Sequence, residues 1–476
     1  MPETRTMPTR SRRAIVLVLA ALLVATGFVG AAQPASAATR PQTVVSLTFD
    51  DGNANQLAAV SALDALDLPG TFYIPSGFVG AAGYLTLPQL QAMAAAGHEI
   101  GGHTVSHPDL PSVPAAEVAR QICGDRAQLA AWGFDVRSFA YPFASSNAAV
   151  EQQAEDCGYN SARLLGDLRS PSGCSGCPAV ESIPPLDPYA TRALAQVETS
   201  WTLAQLKAAV TRAEVTGGWV QFTFHNVCAS GCDISVTPTV FNQFATWLDA
   251  REVTRNTVVR TVGDVVGGAT RPIVAAPGGQ PPAAGVNAVQ NPGLETLVGG
   301  APSCWMQGGY GSNTAVLDTV SPGRTGATAA RVRMSNYVDG DAKWLPQFDL
   351  GSCSPAVAAG SSYALSTWYT STTVTQYAVY LRTAGGAWQY WTSSPWFGAT
   401  TAFTEAAWQT PPIPAGYSGI SFGLNLFSNG TLVTDDASML LVAPSAAARQ
   451  APSAPPSGPV EVYNETEADL VGQTGG

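Results

Sequence analysis

The sequence predicts an α/β chain in which a distorted (β/α) barrel is followed by an all-β sandwich. Three observations carry that expectation. From Val44 to about Val266, short apolar runs alternate with helix-period stretches, the rhythm of parallel β/α units. Residues 267–286 (GGATRPIVAAPGGQPPAAGV) then form a Pro/Gly/Ala linker. Past that linker helical periodicity vanishes, Ser, Thr, Gly and aromatics dominate, and seven of the 11 Trp residues fall there.

In order, the strand expectations are residues 44–49, 71–74, 99–102, 137–141, 159–163, 219–224 and 257–261. Each is short, apolar and bounded by turn formers. Between them Asn55–Leu66, Leu87–Ala96, Ala115–Ala131, Ala148–Asp156, Leu203–Glu214 and Val240–Arg251 carry helical patterns. About seven such repeats suit a barrel, whose working residues sit at the C-terminal ends of its strands. In the second half, Thr375–Arg382 and Gly419–Phe427 alternate as antiparallel sandwich strands do. The expected divisions are 1–37 as an export signal, 40–266 as the barrel, 267–286 as linker, 287–443 as sandwich and 444–476 as a disordered tail. The tail is rich in Ala, Pro and Ser and then acidic, with too little apolar content to fold.

Composition narrows the function. The chain is 46% hydrophobic and 12% charged, with a formal net charge of −11. Residues 1–37 carry four Arg and one Glu, so the remainder stands at −14. Such an acidic chain, with Lys207 and Lys343 as its only lysines, excludes nucleic acid and an anionic membrane surface as partners. Arg10–Arg13, the apolar run Ala14–Ala31 and Ala35-Ser36-Ala37 have the order of an export signal with its cleavage site. The mature chain is then expected to be secreted or cell-wall-associated, free of the membrane and monomeric. Eight cysteines suit that oxidising destination. The expected bridges are 123–157, 174–177, 228–232 and 304–353; a four-sulfur zinc set from 174, 177, 228 and 232 competes with two of them.

The chemistry gathers at Thr48-Phe49-Asp50-Asp51-Gly52, two adjacent acids at a strand end. One carboxylate of such a pair can hold a metal while the other takes a proton. The chain has only four histidines. His103 and His107, four apart, can face one point if their segment is helical or tightly turned. With Asp51 they make a two-His, one-carboxylate set that leaves positions open for water and substrate. His225 ends a later strand, and His98 starts one and reads as structural.

These residues together resemble the polysaccharide deacetylase family (NodB homology domain, carbohydrate esterase family 4). The resemblance lies in Thr48-Phe49-Asp50-Asp51-Gly52, His103-Thr104-x-x-His107, Tyr141-Pro142-Phe143 and Phe224-His225, and it covers about residues 43–266. It implies a NodB-type barrel that removes N-acetyl groups from a cell-wall or extracellular polysaccharide. Asp50 would be the base, Asp51, His103 and His107 the ligands of Zn²⁺ (or Co²⁺, Ni²⁺ or Mn²⁺), and His225 the acid. The backbone N–H of Phe143 would face the oxyanion, with Tyr141 walling the acetyl pocket and Trp201 either walling it or packing in the core. Where the family carries an arginine that steadies the base, this chain has Ala140; Arg137 or, more interestingly, Arg192 is the expected substitute. The family's Asp before Trp is matched only by Ser200-Trp201. O-acetyl esterase action on xylan would use the same residues, and a non-catalytic glycan-binding protein would keep the metal without turnover.

Asn291-Pro292-Gly293-Leu294-Glu295 and Thr434-Asp435-Asp436-Ala437-Ser438 resemble the ends of carbohydrate-binding jelly rolls. The likeness implies a structural Ca²⁺ held by Glu295 and Asp436. Trp388, Tyr390, Trp391 and Trp396 crowd one stretch, most of them expected in the core and one or two facing sugar.

Overall fold

The computed structural model describes residues 40–442; the expected export signal and tail lie outside the described residues. The first part is built on one parallel sheet. Its strands are β1 (Thr43–Phe49), β2 (Thr71–Ile74), β3 (Glu99–Gly102), β4 (Ser138–Ala140), β5 (Ser161–Arg163) and β6 (Gly218–Phe224). A small pair follows, β7 (Asn226–Val227) and β8 (Ser235–Val236), and then β9 (Thr257–Val259). The sheet runs β5-β4-β3-β2-β1-β6. The edge of β1 away from β6 is shared, with β9 pairing Thr43–Val45 and β2 pairing Thr48 and Phe49. Every residue of β1 and β2 is buried. That is why those strands show no strict apolar–polar alternation.

The helices are α1 (Leu57–Asp64), α2 (Leu87–Ala96), α3 (Ala115–Ala131), α4 (Ala148–Asp156), α5 (Leu203–Ala213), α6 (Pro238–Arg255) and α7 (Val262–Val266). Their boundaries follow local chemistry. Thr86 with Gln89, and Thr202 with Gln205, form capping boxes at the starts of α2 and α5, and Gly97 ends α2 at φ 102°. Phe49, Phe72, Phe224 and Phe241 pack ring on ring where the sheet meets the α6 side, with Phe49 and Phe72 stacked at 4.5 Å.

The seven-strand sheet does not close strand to strand between β5 and β6. The irregular stretch from Pro188 to Val197 fills that gap. The carbonyls of Pro188 and Thr191 accept from Ala162 and Leu164, while Leu194 and Val197 donate to Gln221 and Thr223 on β6. The barrel expectation thus becomes a half-barrel with an irregular seam. A seam without apolar alternation gives no strand signal.

All eight cysteines pair as 123–157, 174–177, 228–232 and 304–353, so no four-sulfur zinc set forms. The 267–286 segment lies along the first part rather than away from it. Buried Arg126 donates to the carbonyls of Arg271 (2.7 Å) and Pro272 (2.9 Å), and Asn160 donates to those of Gly267 and Ala269.

Residues 305–441 build two antiparallel sheets of five strands each. One has the order 305–310, 341–346, 417–426, 376–383, 388–393; the other runs 314–320, 329–335, 430–441, 363–371, 400–409. Val332, Leu365 and Leu432 of one sheet share a core with Tyr377, Val379 and Phe422 of the other. Trp388 is buried and Trp391 packs on the core, whereas Tyr390 and Trp396 are about half exposed.

Candidate active site and metal centre

Three loops deliver the site to the C-terminal rim of the parallel sheet. Asp50 and Asp51 leave β1, His103 to His107 leave β3, and His225 leaves β6. Gln56, fully buried, donates to the carbonyls of both Asp50 (2.5 Å) and His225 (2.8 Å), clamping the ends of β1 and β6 together. Asp51 and Gly52 follow with positive φ, 72° and 68°, which turns the chain out of the strand. Only that reversal lets two consecutive side chains serve one site, since successive strand residues otherwise point to opposite faces.

The histidine spacing works through a turn and not a helix. Thr104 and His107 are both left-handed, at φ 67° and 59°. His103 Nε2 and His107 Nε2 stand 3.5 and 3.4 Å from Asp51 Oδ1. These three donors lie within 4.8 Å of one another, and among the described residues they are the one cluster of three or more His, Cys, Asp or Glu so arranged. His103 Nδ1–H donates to the Ala140 carbonyl at 2.7 Å, which leaves Nε2 with its lone pair facing the cluster. Two imidazole nitrogens and one carboxylate oxygen, converging with an open side, fit Zn²⁺ or another first-row divalent cation.

The electrostatics differ among the three: burial pushes the His103 imidazole down, but Asp51 and Asp50 beside it raise it above its ordinary value. Burial works to raise the Asp51 carboxyl, but the His103 hydrogen bond and the neighbouring imidazoles hold it below the usual range. Burial pushes the His107 imidazole down to about 4, against the pull of Asp51, so the ring is neutral at pH 7. Behind them Asp125, fully buried, accepts the N–H groups of Ser76 and His103, both at 2.9 Å. Burial raises its carboxyl to about 7 despite those donors.

Asp50 is 3% exposed and its two oxygens differ. Oδ2 pairs with Arg163 and lies 4.0 Å from His225 Nε2. Oδ1 is buried with no hydrogen-bond partner in the protein, and the same holds for His225 Nδ1. Arg163, 1% exposed, is held by Thr223 Oγ1 at 2.9 Å and lies over the Tyr73 ring. The expected substitute, Arg192, is elsewhere: its side chain is 37% exposed and its Nε is 3.9 Å from Glu181. Arg163 is the last residue of β5, a strand-end charge beside the same rim as Asp50. That position was the available signal.

Asp50, Asp51, His103, His107, His225, Tyr141 and Phe143 all line one cleft of about 540 Å³. Phe143 has φ 56° and sets its ring edge-on to His107 at 4.7 Å. Tyr141 donates its hydroxyl to the Tyr189 carbonyl at 2.9 Å, so it serves as wall and not as proton donor. Trp201 does not reach the cleft. It is 4% exposed, and its indole N–H donates to Ser172 Oγ, the residue that does line it. Glu198, Asn226 and Asp233 add polar groups at the rim.

The pair expected to hold calcium is engaged with protein donors. Glu295 accepts the N–H groups of Ala327 and Thr328, and Asp436 is ion-paired with Arg324 at 2.6 Å and accepts from Thr325 Oγ1. The Arg324 guanidinium supplies a positive charge beside Asp436.

Residues 37–162 match the family model for polysaccharide deacetylase, a span that holds Asp50, Asp51, His103 and His107 and stops one residue before Arg163. A chitooligosaccharide deacetylase of Sinorhizobium fredii is 38% identical over 82 residues, which is 16% of this chain and 35% of that protein. An uncharacterized protein of Streptomyces coelicolor is 30% identical over 116 residues, 24% of this chain and 45% of that protein. The chain therefore spans only about a third to a half of these relatives. Among solved structures, a family 4 acetyl xylan esterase from Clostridium thermocellum with a cobalt ion aligns at 18% identity and a TM-score of 0.34. That alignment covers 47% of this chain and 90% of that one.

Proposed function

We propose that this protein is a metal-dependent carbohydrate deacetylase that hydrolyses N-acetyl groups of an exported or cell-wall polysaccharide. One observation carries the reading: three convergent metal donors stand beside a buried carboxylate that lines the same cleft and keeps one oxygen without a protein partner. The polysaccharide deacetylase match over residues 37–162 supports the same reaction class.

Asp51, His103 and His107 would hold a divalent cation, which would supply Lewis-acid polarisation of the acyl carbonyl. Asp50 takes a proton from water at Oδ1, while Arg163 on Oδ2 fixes the direction of the carboxylate. Water adds to the acyl carbon, and the backbone N–H of Phe143 is the donor assigned to the developing oxyanion. His225 gives a proton to the leaving nitrogen as the C–N bond breaks, releasing acetate and a free amine. The β-sandwich is read as a jelly-roll glycan-binding module, in which exposed Tyr390 and Trp396 are the aromatic faces open to a sugar ring.

The test is acetate release by the chain, stripped of metal and refilled with Zn²⁺ or Co²⁺. The substrates are N-acetylglucosamine polymers, peptidoglycan and acetylated xylan, with Asp50→Asn as control. Metal-dependent release from the first two, abolished in the control, is the expected result. Release from xylan alone would move the reaction to an O-acetyl ester. Silence on every polymer with metal bound would favour a glycan-binding protein without turnover.

A further inference from the structure

The sandwich reaches the turn that carries the histidines. Left-handed Thr104 and His107 put that turn in a sparsely populated conformation, which persists only where its surroundings hold it. Gln121 of α3, 1% exposed, does much of the holding. Its Oε1 accepts the N–H groups of Val105 (3.1 Å) and Ser106 (3.0 Å), and its Nε2 donates to Ser106 Oγ (2.8 Å).

Gln121 is itself oriented from beyond. Its Nε2 also donates to Glu117 Oε1 at 3.2 Å, one helical turn earlier, and Glu117 is 1% exposed. The same Glu117 oxygen accepts the N–H of Leu350, a sandwich residue, at 2.6 Å. The sandwich loop behind that N–H is rigidly tied. Asp349 accepts from the N–H groups of Gly351, Cys353 and Ser354, and Arg382 donates to the Asp349 carbonyl at 2.7 Å. Arg120 adds a bond to Ser352 Oγ at 2.9 Å.

A second contact is apolar. Gly386 lies in the sandwich turn 384–387 at φ 91°, and a Cβ there would stand 2.3 Å from Val105 Cγ1. Val105 is two residues from either histidine. Its neighbours leave it little room, since its carbonyl accepts the N–H of Gly77 at 2.9 Å.

We propose that the sandwich is a positioning element of the metal centre. It clamps the His103–His107 turn through the Leu350–Glu117–Gln121 relay and through Gly386 against Val105, so metal affinity depends on a domain that contributes no ligand. The inference rests on the metal reading above and adds a role for the C-terminal half that glycan binding does not require.

The experiment uses the full chain and reads metal affinity by competition with a chromophoric chelator, for Zn²⁺ and for Co²⁺, together with the Co²⁺ absorption spectrum. Glu117→Leu cuts the relay, and Gly386→Val pushes on Val105. Each folded variant is expected to bind metal about 10–100-fold more weakly, the usual cost of losing a partner that orients a ligand, with a changed Co²⁺ spectrum. Adding Val105→Ala to Gly386→Val should recover part of the loss, because the clash has lost its target. Should Gly386→Val not fold, Glu117→Leu decides alone. Wild-type affinity in a folded Glu117→Leu variant overturns this inference and leaves the metal reading intact. A wild-type chain that binds no metal overturns both.

Discussion

Two acid pairs invite the same guess and meet different neighbours. Asp50 and Asp51 stand at the end of a parallel strand, Glu295 and Asp436 at the two ends of the sandwich sequence. At the first pair, imidazole nitrogens of His103 and His107 face Asp51, and Asp50 keeps one buried oxygen without a protein partner. At the second, backbone N–H groups and the Arg324 guanidinium occupy the carboxylates. A carboxylate's function follows from what the fold sets opposite it. Lone-pair donors opposite an acid make a cation site; N–H donors opposite it make a structural tie.

The largest expected effect tests that contrast directly. His107→Ala should lose metal by more than the roughly 10–100-fold that follows loss of a mere supporting partner, whereas Asp436→Asn should leave metal stoichiometry and affinity unchanged. Metal analysis of the two purified variants checks this, and equal loss in both would erase the distinction.

A smaller effect separates two arginines. Arg163→Ala strands Asp50 as a buried, unpaired charge, a change that costs about 3–5 kcal/mol, and turnover should fall with it. Arg192→Ala removes a partly exposed contact to Glu181 and should cost about 0–1 kcal/mol without affecting turnover. Denaturant unfolding and acetate release on both variants give the comparison. Intact turnover in Arg163→Ala would return the base-steadying role to another group.

The smallest effect concerns His98, the one histidine outside the cleft. Burial holds its imidazole below the ordinary 6.5, partly offset by Asp64. Its Nδ1 accepts the Gly70 N–H at 3.0 Å, an arrangement only the neutral ring can make. The unfolded chain therefore binds a proton that the folded chain refuses. Stability contributed here is complete above about 6.5 and declines as pH falls below it, by at most about 1.4 kcal/mol per pH unit. Unfolding curves from pH 7 to pH 5 should show a shallower decline in His98→Gln, and identical slopes would refute the assignment.

Much of this architecture was legible beforehand. The strands 44–49, 71–74 and 99–102 and the helix Ala115–Ala131 follow from apolar spacing and agree with the observed elements to within a residue. The rim positions of Asp50, His103 and His225 follow from where those strands end. The residues missed share one property. Arg163 acts on a partner 113 positions away, Gln56 on His225 at 169, and Glu117 on Leu350 at 233.

By itself, then, the sequence determined the parallel rhythm, the change of texture near residue 287 and the short motifs that bring Asp51, His103 and His107 within reach of one point. Those features depend on neighbours a few residues apart, where periodicity and turn chemistry operate. Only the tertiary structure decided that Arg163 and not Arg192 meets Asp50, that Trp201 stands behind Ser172, and that the sandwich leans on the histidine turn. Each of those is a choice among partners of similar chemistry, made by which strand ends and loops pack side by side. No local pattern carries that information.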